Sequence, residues 1–228
     1  SVMKQLFALI LITLSFSCTE KSVQLPETIN KDITEVLDVS PVYMFYNEEN
    51  GSLEFNRKNI ISTTNWLVNI DKRLTLKQIL PHLQYLQDKR HSNGMHKNEN
   101  ARNYFTCNNT DLKNLSFIEF TDVVYHDESS IDYHAKNSDL GSIENNITIE
   151  FNLNDEITII SPNSEFLSLK INISKLANTL NQNSTQENLI NLNFNENLSF
   201  QDYVSVKTQL LKLKSDNVKI SNNEFIYN

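Results

Sequence analysis

The sequence predicts an α+β protein of two similar modules, each a small β-sheet with helices packed on one face. Three observations carry that prediction. The run from Ile70 to Leu80 is matched, in its order of apolar and polar residues, by the run from Phe194 to Val204. Each copy is led by an alternating segment, Trp66 to Ile70 and Ile190 to Phe194, whose period of two marks a half-buried strand. Each then passes through a short polar turn into a helix with its own start signal. Thr75 followed by Gln78, and Ser199 followed by Asp202, fit capping boxes in which the hydroxyl accepts a first-turn N–H.

The remaining elements follow in order. Val42 to Tyr46 and Leu53 to Phe55 flank Asn50-Gly51, a strong hairpin signal. The first helix is expected to bury Leu76, Ile79, Leu80, Leu83 and Leu86, one apolar stripe suited to lying on a sheet. Pro81 falls inside it, where a lost hydrogen bond costs about 3 kcal/mol, so a kink or a restart is expected there. The return strand begins near Asn103, after a polar insertion from Lys89 to Arg102, and Phe117 to Phe120 adds edge pairing. In the second half, Ile147 to Phe151 and Ile157 to Ile160 read as a hairpin, followed by a helix from about Ile173 to Asn181. The second repeat helix is expected to bury Phe200, Tyr203, Val204, Leu210 and Leu211, with Val218 to Ile220 as its return strand. The modules span 41–125 and 144–228, joined by an acidic link, 126–143.

The N-terminus reads as an address. Met3-Lys4 precedes an apolar run from Leu6 to Phe16, about half the roughly 20 residues needed to cross a bilayer. It therefore reads as the apolar region of a secretory signal, residues 1–17. Ser17-Cys18, just past that run, resembles the bacterial lipoprotein lipobox in the loose form found in Bacteroidetes. The resemblance implies that Cys18 carries lipid and anchors the chain. No acidic cluster follows Cys18 directly, so a periplasm-facing position is expected over cell-surface display, with the outer membrane favoured over the inner. Residues 18–40, polar and containing Pro26, are expected to form a tether.

Composition excludes several classes. Three glycines cannot build a glycine-rich phosphate loop, and two cysteines form neither a disulfide framework nor a four-cysteine zinc site. A net charge of −8 lacks the basic footprint of a nucleic-acid binder. The 33 asparagines explain the seven Asn-x-Ser/Thr sequons by chance. With Cys18 lipidated, Cys107 is a lone thiol in a strand-like run and reads as buried and inert. His91, His96, His126 and His134 lie in polar segments without the spacing of zinc ligands. No catalytic order of residues stands out, so neither an enzyme nor a cofactor is expected.

Charge is uneven along the chain. The insertion carries Lys89, Arg90, Lys97 and Arg102 against Glu99 alone, whereas Asp127 to Glu156 holds eight acids against Lys136. The four basic residues are candidates for contacting an anionic partner, such as cell-wall polymer or an acidic protein surface.

From Ile147 to Ser221 the order hairpin, helix, strand ending at Asn195, polar turn, capped helix, strand resembles the periplasmic domain of the ExbD/TolR biopolymer-transport family. The first module matches over about Trp66 to Lys89, where Asp71 stands at the family's Asp position; in the second, Asn195 does. The resemblance implies dimerisation and docking to envelope proteins or peptidoglycan, here without a proton-motor role, because the apolar run holds no acid. Two rival readings remain open. A carbohydrate- or peptidoglycan-binding lipoprotein would expose an aromatic platform, with Trp66, Tyr85 or Tyr133 as candidates. A metalloprotein or hydrolase would use the His-rich segments.

Overall fold

The computed structural model describes residues 21–92, 98–137, 146–160, 172–183, 188–213 and 218–228. Among them are two sheets and four helices, a mixed α/β architecture. The first sheet contains β1 (Glu27–Thr28), β2 (Val39–Tyr46), β3 (Leu53–Asn56), β4 (Asn65–Ile70), β5 (Asn103–Asn109) and β6 (Asn114–Glu119). The second contains β7 (Val124–His126), β8 (Asn146–Phe151), β9 (Ile157–Ile160), β10 (Asn188–Asn195) and β11 (Val218–Tyr227). The helices are α1 (Leu76–His91), α2 (Ser130–Lys136), α3 (Ile173–Asn183) and α4 (Phe200–Leu210).

The two sheets share one plan. In the first, the order β3-β2-β4-β5 has an antiparallel hairpin on one side and parallel β2, β4 and β5 beside it. In the second, β9-β8-β10-β11 repeats that order and those directions. The parallel pairs require crossovers, and the matched helices α1 and α4 supply them. α3 crosses from hairpin to β10 in the second half, whereas a loop does the same work in the first.

Alternation decides the faces. Val42, Met44, Trp66, Val68 and Ile70 point inward and are fully buried, while Tyr43, Phe45, Leu67 and Asn69 fall on the other face. α1 buries the five residues its spacing predicts, and α4 buries Phe200, Tyr203, Val204 and Leu210. Leu211, expected inside, is 49% exposed because the helix ends at its C-cap there. Both helices touch both sheets: α1 contacts β3 and also β7 and β11, while α4 contacts β1 and reaches β11 through Tyr203. A continuous aromatic core results, running from Phe151 through Phe194, Tyr203 and Phe200 to Phe105 and Phe120.

The capping boxes form as the sequence predicts, and they do more than cap. A constant shift along the chain takes Leu74 to Leu198, Thr75 to Ser199 and Leu76 to Phe200. The Leu76 N–H donates to the Leu198 carbonyl at 2.9 Å, and the Phe200 N–H donates to the Leu74 carbonyl at 2.7 Å. Lys77 donates to Glu196 and Gln201 to Lys72 in the same reciprocal way, about an isolated bridge between Thr75 and Ser199. Helix starts leave orphan donors, and here each repeat satisfies those of the other.

Pro81 neither ends nor restarts α1, which runs unbroken from Leu76 to His91. Flanking packing holds the helix through the missing bond to Lys77. Since Pro81 is exposed, Pro81→Ala is expected to raise stability by about 1–3 kcal/mol. Urea denaturation checks this, and a loss of stability would refute it.

Two boundaries differ from the sequence reading. Residues 21–40 are docked rather than a free tether. β1 pairs β5, the Ile33 carbonyl accepts from Phe117, and Asp38 accepts from Asn65. Glu27 exchanges two hydrogen bonds with Gln201, and Thr28 meets Thr208 at 2.8 Å, so this strap ties the first sheet to α4. The described part of the acidic link, 126–137, is also structured, since β7 joins β11 of the second sheet and α2 follows it.

Candidate functional site

The four basic residues of the insertion do not converge. Lys89 is exposed on the last turn of α1, and Lys97 lies outside the described residues. Arg102 is engaged by Glu119 at 3.4 Å and by the Glu99 carbonyl. Arg90 points inward, 6% exposed, and is not available to a partner. The helix extends far enough to carry it over the Trp66 ring, 3.7 Å from the centroid. There it donates to the Asn103 side chain and to the carbonyls of Ser62 and Thr64. Burial, with Arg102 nearby, pulls its guanidinium down to about 10. Cys18 also lies outside the described residues.

Asp71 and Asn195 occupy matched turns. Each accepts from the N–H two residues on, Arg73 and Asn197, in the local turn that Asp and Asn side chains favour. Asp71 does more: fully buried, it accepts two bonds from the Arg73 guanidinium and one from the Gln24 N–H, anchoring the strap. Burial alone would raise its pKa, but the Arg73 and Gln24 bonds outweigh that and hold it below the ordinary carboxylate range. A depressed folded pKa contributes stability that is full above the unfolded value of about 3.9 and fades as pH falls through the folded one. Asp71→Asn is therefore expected to cost about 2 kcal/mol at pH 7 and to flatten the acid limb of stability. Unfolding measured between pH 7 and pH 2 checks it, and an unchanged pH slope would contradict it.

The histidines and the lone cysteine have structural surroundings. His91 bonds the Gln87 carbonyl, His126 bonds Asn223 and stacks on Phe225, and His134 packs near Tyr133 and Phe225. His96 lies outside the described residues. Among the described residues no group of three or more His, Cys, Asp and Glu side chains could hold a metal ion. Cys107 is buried, and that burial pushes its thiol up to about 12. Trp66 is fully buried, Tyr85 lies under the Arg57 guanidinium at 4.0 Å, and Tyr133 packs on Phe225.

The built site lies elsewhere, where the halves meet. A cleft of about 410 Å3 opens between the strap, β6, the end of α4 and β11. Phe117, Ile118 and Leu210 give it an apolar wall, Asp32 and Glu119 stand in its lining, and Lys207 and Glu224 form a charged wall. Glu224 is 1% exposed and ion-paired with Lys207, whose side chain is 14% exposed. The Tyr203 hydroxyl donates to the other Glu224 oxygen at 2.6 Å, and Tyr125 meets Tyr203 at 3.3 Å. Burial first, and then the Glu224 charge, holds both phenols well above their ordinary pKa. They remain hydrogen-bond donors at any physiological pH.

This network is confined to one half. The shift that superimposes the helices places Ile79 at Tyr203 and Leu83 at Lys207. Val68 pairs with Phe105 where its counterpart Leu192 pairs with Glu224, so Phe105 stands for the acid. One scaffold thus fills the same three positions with Ile, Leu and Phe in the first half and with Tyr, Lys and Glu in the second. Comparing the two copies at these positions is the signal by which the sequence could have revealed the site.

No protein-family model, no curated protein and no solved structure matches this chain.

Proposed function

We propose that the protein is a lipid-anchored component of the cell envelope that acts by contact with a membrane-proximal protein or cell-wall partner. In this reading Cys18 carries the lipid, and the repeats serve as ExbD/TolR-like binding modules without proton-motor activity of their own. The observation that carries it is the docked strap. Hydrogen bonds and β1 fix the chain to both halves from Gln24 onward, and Lys21 already pairs with Glu54. Between Cys18 and Gln24, the first residue held through its backbone, lie only five residues, so the anchor stands at most about 22 Å from the body at full extension. A body held that close works at the bilayer surface rather than across a wide gap. Among the described residues no helix is long and apolar enough to cross a membrane, and the lipid supplies the attachment.

Two experiments test this. Inhibiting signal peptidase II in the native cell is expected to accumulate precursor, and Cys18→Ala is expected to leave the membrane fraction. An unchanged precursor level overturns the anchor. Crosslinking in cells, followed by pull-down, is expected to recover an envelope-transport or cell-wall component.

A second reading, peptidoglycan binding, draws on the outer face of the first sheet. There Tyr43 and Phe45 stack with centroids 5.5 Å apart and are only half-buried, beside Leu67 and Tyr104. Aromatic faces of this kind pack on the apolar faces of sugar rings. Co-sedimentation with isolated sacculi that is lost in Tyr43→Ala/Phe45→Ala would favour it over the protein-contact reading.

A further inference from the structure

We propose that the cleft between the halves is a binding site for a small molecule that carries a primary ammonium group on an apolar body. The proposal goes beyond the envelope reading and stands without it.

Three observations converge. First, the cleft's volume of about 410 Å3 falls within the roughly 300–1,000 Å3 of small-molecule sites. Second, its wall holds a buried ion pair that the fold does not need. Buried pairs are often matched or surpassed in stability by well-packed apolar residues, and the first half shows the apolar solution in place at Ile79, Leu83 and Phe105. Packing alone therefore does not call for the charges of Lys207 and Glu224, and both line the cleft. Third, the charges choose the ligand. Among the described residues of its lining, Asp32, Glu119 and Glu224 face one cation, Lys207, so an incoming ammonium meets a net attraction and an incoming carboxylate a net repulsion. Arg102 draws on Glu119 at 3.4 Å without closing the balance. Ile33, Phe117, Ile118 and Leu210 supply the surface on which an apolar body loses its water.

The test uses the full chain in detergent and three probes that share a ring: benzylamine, benzyl alcohol and benzoate. Calorimetric titration is expected to show saturable binding of benzylamine at least tenfold tighter than that of the other two. The double variant Asp32→Asn/Glu119→Gln alters only exposed acids and is expected to weaken benzylamine about tenfold. The triple variant Tyr203→Ile/Lys207→Leu/Glu224→Phe copies the first half and is expected to fold and to abolish the preference for the amine. Benzoate binding as tightly as benzylamine overturns the proposal. So does benzylamine binding that neither variant changes, since the amine then sits elsewhere, and so does the absence of saturable binding by any probe.

Discussion

Lys207→Met is expected to lose about 3–5 kcal/mol of unfolding free energy, the cost of leaving a buried charge without its partner. Glu224 is 1% exposed and would keep, among the described residues, only the Tyr203 hydroxyl as a side-chain donor. The result should fall toward the lower end, because the 14% exposure of Lys207 lets some water reach the pair. Exchanging Tyr203, Lys207 and Glu224 together for Ile, Leu and Phe should behave differently. With no charge left behind, stability should stay within about 2 kcal/mol of the parent or rise above it. Urea denaturation at pH 7 separates the two cases. A single-variant loss below about 1 kcal/mol would mean that Glu224 is solvated after all. A collapse of the triple variant would mean that the apolar arrangement of the first half cannot be transplanted.

Removing Arg90 is expected to have a comparable effect, about 3 kcal/mol for Arg90→Ala. The guanidinium serves three acceptors at once, Asn103 and the carbonyls of Ser62 and Thr64, and it covers the Trp66 ring. Truncation leaves the Asn103 and Thr64 acceptors buried and unpaired, while water can reach the exposed Ser62, and each buried unpaired group costs on the order of 1–3 kcal/mol. Lysine carries the charge but not the planar fork, so Arg90→Lys should recover less than half of the loss. Thermal and urea unfolding of both variants would decide this. Equal stability of the Lys variant and the parent would show that charge alone suffices.

The parts of the fold that were legible in the sequence are those whose signals are local. Thr75 with Gln78 and Ser199 with Asp202 announce helix starts within four residues, and the alternation from Trp66 to Ile70 announces a strand within five. The strap was not legible, because residues 21–40 look polar and featureless on their own. What holds them is remote in sequence: Asp71, Gln201 and Thr208. Val124 and Tyr125 close the first module in the sequence reading and His126 opens the acidic link, yet all three pair with Asn223 to Phe225 of the second sheet, a contact no window along the chain contains. Arg90 read as one charge in a basic loop. Its burial depends on the helix continuing to His91 and on Trp66 lying beneath it. Glu224 closes a polar run, Ser221-Asn222-Asn223-Glu224, that suggests solvent. The β11 pairing shifts register just before Glu224, which is delivered to Tyr203 and Lys207. The cleft itself is a property of how the halves meet, so neither half shows it alone.

The reciprocal bonds between the two helix starts have the form of an interface between identical subunits, in which residue i meets j and j meets i. Such an interface has a valence of two, one from each partner, and here both are spent within a single polypeptide. The protein is in that sense a homodimer spliced end to end. Splicing frees the halves from identity: a true homodimer must place the same residue at both of a pair of equivalent positions, whereas this chain can set Phe105 in one and Glu224 in the other.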